Sequence, residues 1–249
     1  MKKPDQVRLE ILRLLCLEEE WIPASRLSAG RSRTAVSNHI AALKRLGYKI
    51  ESSPARGYRL KSAPDAIHEI ELRRVMGENP LAREIHSFDH TDSTSSQAAR
   101  LADEGAPHGT LVIAEQQTKG RGRLGRSWAS PPGTGLYFSL VLRPKIELHR
   151  APQLTLLAAT AVASAIERTA NLSPQIKWPN DLLLDGKKFC GILTELSGDP
   201  DRVRHVILGI GVNVGTKKFP KEIAPLATSL RLALGKEPPP RALLLAALL

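Results

Sequence analysis

QIKWPNDLLLDGKKFCGILTELSGDPDRVRHVILGIGVNV, residues 175–214, carries three strand candidates in succession, 175–178, 189–196 and 203–214, with no helical pattern between them. Asp185-Gly186 is a strong hairpin signal, because a two-residue turn needs positive φ that Asp and Gly tolerate, and Asp199-Pro200 marks the next turn. A doubly wound parallel sheet would place a crossover helix after each strand. The stretch therefore predicts a mixed sheet of the α+β class.

Working outward, strand candidates at 85–88, 111–115 and 136–142 are interleaved with helices near 95–104 and 151–169. The longest uncharged run, residues 151–166, falls short of the ~20 apolar residues of a membrane span. It also contains Gln153, Thr155, Thr160 and Ser164, and is expected to be a buried helix. RALLLAALL, residues 241–249, reads as an amphipathic helix cut off mid-pattern. The polar Pro-containing junction 62–65 is the candidate domain boundary, giving domains 1–62 and 63–249.

The N-terminal segment follows another pattern. Asp5 can cap a helix running to residue 17, with Val7, Ile11, Leu14 and Leu15 on one face. A second helix begins at Ser32 as N-cap, turns Val36, Ile40 and Leu43 inward and ends at Gly47. Its other face carries Arg33, Thr34, Ser37, Asn38 and Lys44. Residues 48–52 and 57–60 read as strands joined through Pro54 and Gly57. Helices followed by a basic hairpin describe a winged helix-turn-helix. Charge agrees: the chain has formal charge +11, and eight of its basic residues fall within 31–61 against Glu51 alone. Arg33, Thr34, Ser37, Asn38 and Lys44, with Arg56 and Arg59 of the wing, are the candidate DNA contacts.

With 42% hydrophobic and 24% charged residues the chain is an ordinary globular one, not a disordered tail. Cys16 and Cys190 are too few and too separated for a disulfide framework or a metal site, and are expected to be packed thiols in a reducing cytosol. Asp5, Arg8 and Glu10 stand where a signal peptide would need an apolar core, so the expected location is cytoplasmic, with no membrane partner.

Three motifs carry chemistry. GRGRLGRSW, residues 120–128, alternates Gly120, Gly122 and Gly125 with Arg121, Arg123 and Arg126. Such a loop lets backbone NH groups approach a ligand while guanidinium forks match carboxylate or phosphate oxygens. The spacing alone fits a nucleic-acid-binding tail equally well, but apolar strands lead in and out of this loop. It is not a Walker loop, since no GxxxxGK[ST] is present. In KWPND, Pro179 can turn Asn180 and Asp181 out of a strand ladder, leaving a carboxylate able to hold Mg²⁺ on a triphosphate; an isolated Asx turn is the plainer reading. In KKFCGILTEL, Lys188 stands at the start of an apolar strand, either solvated or directed into a site.

DSTSSQA at 92–98, EQQTKGRGRLGRSW at 115–128, KWPND at 177–181, KKFCGILTE at 187–195 and GIGVNV at 209–214 resemble, in order and approximate spacing, the successive signatures of the biotin protein ligase family. The resemblance covers nearly the whole chain, the N-terminal segment being similar to the winged helix of its bifunctional ligase and biotin operon repressor (BirA type) branch. It implies a biotin/lipoate ligase-like catalytic domain that activates biotin with ATP and Mg²⁺ to biotinyl-5′-AMP and transfers it to a lysine of a biotin carboxyl carrier protein. It also implies repression of biotin genes at an operator, and a homodimer when the adenylate is bound. Matched residue by residue, it sets Ser93, Thr94, Ser95, Gln117, Arg121, Gly122, Arg123 and Lys188 at biotin or the adenylate. Gly120, Arg126, Trp128, Asn180 and Asn213 fall on ATP and Asp181 on the metal; Arg123, Lys188 and Asp181 carry the chemistry.

The pattern departs from the family at several points. Ser95 stands where the family usually has asparagine, and Lys119 where it has a small residue. Family members continue past the last helix into an SH3-like barrel that helps cover ATP and dock the carrier, so weakened activation and transfer are expected here. The helix before the turn is about two residues short and Arg31 replaces an apolar turn residue, which leaves a vestigial DNA-binding domain open. A lipoate-type acyltransferase and a biotin-sensing DNA-binding regulator with little ligase activity are the competing readings.

Overall fold

The computed structural model describes residues 3–18, 20–199 and 202–249. The turn read at Asp199-Pro200 involves Pro200 and so lies outside them. The chain forms two compact units, Met1–Gly77 and Glu78–Leu249.

The first unit contains α1 (Lys3–Leu17), α2 (Ala24–Ser28), α3 (Arg33–Arg45), the hairpin of β1 (Lys49–Ser53) and β2 (Gly57–Ser62), and α4 (Glu69–Met76). Asp5 lies in the first turn of α1 and pairs with Arg8 at 2.5 Å; the helix starts earlier than a cap at Asp5 requires, with Pro4 near its N-terminal end where a missing N–H costs nothing. Ser32 caps α3 as its sequence indicates, its Oγ accepting from Ala35 N at 3.2 Å. Ile11, Leu12, Leu15, Leu27, Val36, Ile40, Leu43, Tyr48 and Ile50 form one buried cluster, joined by Ile70 of α4. Tyr48 donates to Glu71 Oε2 at 2.6 Å, and Arg74 grips the same carboxylate through both nitrogens of its fork, so α4 is tied to the wing by a buried charged network. Cys16 is exposed rather than packed, because it falls off the apolar stripe of α1.

The second unit contains β3 (Glu84–Thr91), α5 (Thr94–Asp103), β4 (Thr110–Gln117), β5 (Gly135–Leu142), α6 (Pro152–Ala170), β6 (Gln175–Lys177), β7 (Asp181–Leu184), β8 (Lys187–Asp199), β9 (Arg202–Asn213), α7 (Leu230–Leu234) and α8 (Arg241–Leu248). Seven strands form one sheet in the order β3-β4-β5-β9-β8-β7-β6; β3 runs parallel to β4 and every other pair is antiparallel. This is the mixed α+β sheet expected. Asp185 and Gly186 join β7 to β8 with φ of 48° and 75°, the double positive φ of a tight hairpin.

Two readings of this unit need correction. Pro179, in a cis peptide, turns only Trp178 to Asn180 out of the ladder; the turn is tight enough for Asp181 to re-enter the sheet as the first residue of β7, opposite both Lys177 and Gly191. Helix α6 is buried on one face only, through Ala158, Ala159, Val162, Ala165 and Ile166, while Leu157 is 68% exposed. Among the described residues, no helix is long and apolar enough to cross a membrane.

Candidate functional site

Helix α5 starts at the cleft because Ser93 is its N-cap, with Oγ 3.5 Å from Ser96 N, and because Asp92 Oδ1 accepts from Ser93 N at 2.7 Å. Burial raises the Asp92 carboxyl, but the backbone bond from Ser93 and the side-chain bonds from Arg100 and Thr91 outweigh it and hold the group below its ordinary range. The first residues of α5 then enter a hydrogen-bond chain. Thr94 donates from N and Oγ1 to Gln117 Oε1 at 2.8 and 3.1 Å, and Gln117 Nε2 donates to Ser130 Oγ at 2.7 Å. Ser139 Oγ donates to Thr94 Oγ1 at 2.9 Å and lies 3.1 Å from Ser95 Oγ. This chain fixes which face of the Gln117 amide is presented and makes one wall polar and ordered.

The Gly/Arg loop is folded back on itself over that wall. Gln117 N donates to Ser130 O at 3.3 Å, Trp128 N to Gly120 O at 2.8 Å, and Gly122 N to Arg126 O at 2.7 Å. Gly120 is required by close approach, since a Cβ there would stand 2.3 Å from Trp128 O. The floor is made by β8 and β9, where Gly191 pairs with Gly211. Trp128 lies flat on these residues: a Cβ on Gly211 would be 2.6 Å from its Nε1.

A cleft results, and it gathers Ser93, Thr94, Ser95, Gln117, Arg121, Gly122, Arg123, Trp128, Asn180 and Lys188. Its cations are held as follows. Arg121 pairs with Glu195 of β8, Lys188 Nζ is 2.6 Å from Asp181 Oδ1 and 5.4 Å from the Trp128 ring centre, and Arg123 Nη1 donates to the neutral Asn180 Oδ1 at 3.0 Å. Three cations face two carboxylates, so the cleft carries a positive surplus and suits an anion. Cys190, two residues after Lys188, is fully buried, which pushes its thiol up and keeps it protonated; it is no nucleophile.

Other predicted residues lie apart from the cleft lining. Gly120 sits beneath the loop base, and Arg126 is exposed, its main chain closing the loop. Asp181 stands behind Lys188. Asn213 ends β9, buried, with Nδ2 donating to Thr228 O at 3.1 Å, where it braces the segment after β9. Sequence reasoning missed Glu195, Ser139, Ser130 and the glycine floor. Gly209 and Gly211 alternate on one face of a strand, which was a readable signal for close approach; the pairing of Glu195 with Arg121 depends on sheet register and was not.

In the first unit, Arg33, Thr34, Ser37, Asn38 and Lys44 are exposed along α3, and Lys44 Nζ donates to Ser52 Oγ at 3.1 Å. The guanidinium carbons of Arg56 and Arg59 lie 4.3 and 5.0 Å from the Trp21 ring centre, and Arg59 also grips Glu51 through both nitrogens. The wing arginines are thus held on an aromatic platform beside the exposed face of α3.

Comparison with known proteins gives the same division. Residues 87–213 match the model of the biotin/lipoate A/B protein ligase family, and residues 7–59 match an HTH domain. The chain is 46% identical over 222 residues to the bifunctional ligase/repressor BirA of Bacillus subtilis, covering 88% of this chain and 68% of that one. It is 30% identical over 223 residues to the protein of the same name from Escherichia coli, covering 89% and 68%. Among solved structures it is similar to the biotin protein ligase from Aquifex aeolicus in complex with biotin and ATP, with TM-score 0.57, 38% identity, and coverage of 67% and 68%. On the match across residues 87–213 and on these identities, the chain belongs to the biotin/lipoate A/B protein ligase family.

Proposed function

We propose that this protein is a biotin–[acetyl-CoA-carboxylase] ligase that activates biotin with ATP and transfers it to a lysine of a biotin carboxyl carrier protein, and that its N-terminal unit represses transcription. The observation that carries the enzyme reading is the convergence of Arg121, Arg123 and Lys188 on a cleft whose opposite wall is the ordered Thr94–Gln117 chain. Joining a carboxylate to the α-phosphate brings two anions together, which needs fixed positive charge on both and on the charge that develops at phosphorus. We assign Lys188 and Arg123 to that charge and Arg121 to the acid's carboxylate. Ser93, Thr94, Ser95 and Gln117 orient the uncharged, hydrogen-bonding end of biotin, and Trp128 borders the adenine of ATP.

ATP enters as its magnesium complex. Asn180 and Asp181 would supply the protein oxygens to a magnesium ion brought by the triphosphate, and the ion would neutralise phosphate charge; among the described residues no group of three or more His, Cys, Asp or Glu side chains could hold a resident ion. We assign Gly120 and Arg126 to shaping the loop and Asn213 to holding the nucleotide-side segment. The exposed face of α3 with Arg56 and Arg59 is the DNA contact, and the adenylate-bound form is a homodimer.

Incubating the protein with ATP, magnesium and a biotin carboxyl carrier protein tests the reading, with biotin or lipoate as the acid. A covalent mass increase on the carrier with biotin is the expected result. An increase with lipoate alone would replace biotin as substrate, and no modification with either would reject the ligase.

A further inference from the structure

Helix α8 begins with a charge it cannot expose. Arg241, its first residue, is 3% exposed, and its guanidinium fork meets Glu115 in a bidentate pair, Nη1 to Oε2 at 2.7 Å and Nη2 to Oε1 at 3.1 Å. Nη1 also donates to Gly135 O at 3.2 Å. Glu115 accepts from a third side: Gly133 N reaches Oε2 at 3.3 Å. Glu115 is two residues before Gln117 on β4, and Gly133 lies in the turn that leads from the Gly/Arg loop into β5. One carboxylate therefore joins the strand entering the loop to the chain leaving it, and Arg241 fixes that carboxylate from the C-terminal helix.

At the loop base the two limbs are also tied by Gln117 N to Ser130 O and Gln117 Nε2 to Ser130 Oγ. Both pass through Gln117. We infer that Arg241 and Glu115 are positioning residues that pre-organise the Gly/Arg loop by clamping its two ends, so that Gln117 and Arg121 meet the substrate acid in place. Neither touches the cleft. The inference rests on the proposed ligase function for its kinetic consequence but not for its structural one. Loop ordering that is established before binding favours affinity, because the ordering cost is not met by the ligand.

The test compares Arg241→Lys, Glu115→Gln and the charge swap Glu115→Arg/Arg241→Glu with the native chain. Readouts are amide exchange across residues 118–134, melting temperature, and KM against kcat for biotin in adenylate formation. Lysine keeps the charge and loses the fork; glutamine keeps the shape and loses one acceptor. Each should speed exchange in 118–134 by about tenfold, the loss of one charge-assisted hydrogen bond, and raise the KM for biotin by a similar factor with kcat nearly unchanged. The swap should recover melting temperature but not loop protection, because arginine at position 115 cannot accept from Gly133 N. A purely structural ion pair would recover both, and that result would overturn the inference. So would unchanged exchange in the two single variants, or exchange that rises equally in β5 and β9. If the native chain forms no adenylate, the ligase reading fails while exchange and melting still decide the clamp.

Discussion

Replacing Lys188 by methionine separates chemistry from fold in this site. The backbone at Lys188 is fixed independently of its ammonium, its N donating to Leu226 O at 2.8 Å and its O accepting from Thr228 N at 2.9 Å. Methionine keeps an apolar stem against Trp128. The ammonium partner, Asp181, keeps 25% side-chain exposure, but the Oδ1 that meets Lys188 at 2.6 Å is buried, so losing the contact costs stability about 1–3 kcal/mol, a melting shift of about 2–12 °C. Catalysis loses more. A unit charge 4 Å from a developing anion contributes about 4 kcal/mol at an effective dielectric constant near 20. Lys188 keeps 33% side-chain exposure and shares the anion with Arg123, which puts the loss below that full Coulomb value. The expected fall in the rate of adenylate formation is about 10²–10³-fold. Single-turnover formation of acid-labile adenylate, with a melting curve on the same preparation, measures both. A rate within about threefold of native would refute the assignment. A lost rate accompanied by a collapsed melting temperature would show that the residue holds the fold.

Other substitutions test separate links. Gly211→Ala should push the Trp128 indole off the sheet floor, since the new Cβ would lie 2.6 Å from Nε1, and should cost about 1–3 kcal/mol in ligand affinity, read by titration calorimetry; unchanged affinity would mean that the ring moves freely. Leu43→Ala, at a fully buried position of the first unit, should lower stability by about 2–5 kcal/mol in urea unfolding and weaken DNA binding while adenylate formation persists. His205 is buried, and its desolvation lowers its pKa below the usual ~6.5. The folded state therefore favours the neutral ring: its contribution is full above the unfolded value and is lost as pH falls through the unfolded value toward the depressed one. His205→Gln should flatten the stability profile below about pH 6.5, and an unchanged slope would exclude the group. Arg56→Ala should reduce the salt dependence of operator binding by about one unit of slope, and an unchanged slope would remove Arg56 from the phosphate contacts.

What the sequence made legible follows from how local each cause is. Ser32 caps its helix through its own neighbours, and Asp185-Gly186 bends within two residues, so these features could be read in one dimension. The Gly/Arg loop was readable as an anion cradle for the same reason. Helix α4 was not: it spans only eight residues, buries the charged Glu71, and is held by the distant Tyr48 through that carboxylate. Placing Asp181 outside the ladder failed because a proline breaks a strand without saying how soon the strand resumes. Glu195 and Arg241 escaped notice because their partners, Arg121 and Glu115, are 74 and 126 residues away in sequence.

The central claim is that the cleft drives attack of the biotin carboxylate on the α-phosphate of ATP. Exchange of labelled pyrophosphate into ATP tests it most directly, since exchange requires reversible adenylate formation and no carrier protein. The account predicts exchange that depends on biotin and is abolished in Arg123→Met. Absence of biotin-dependent exchange at saturating ATP and magnesium would contradict it.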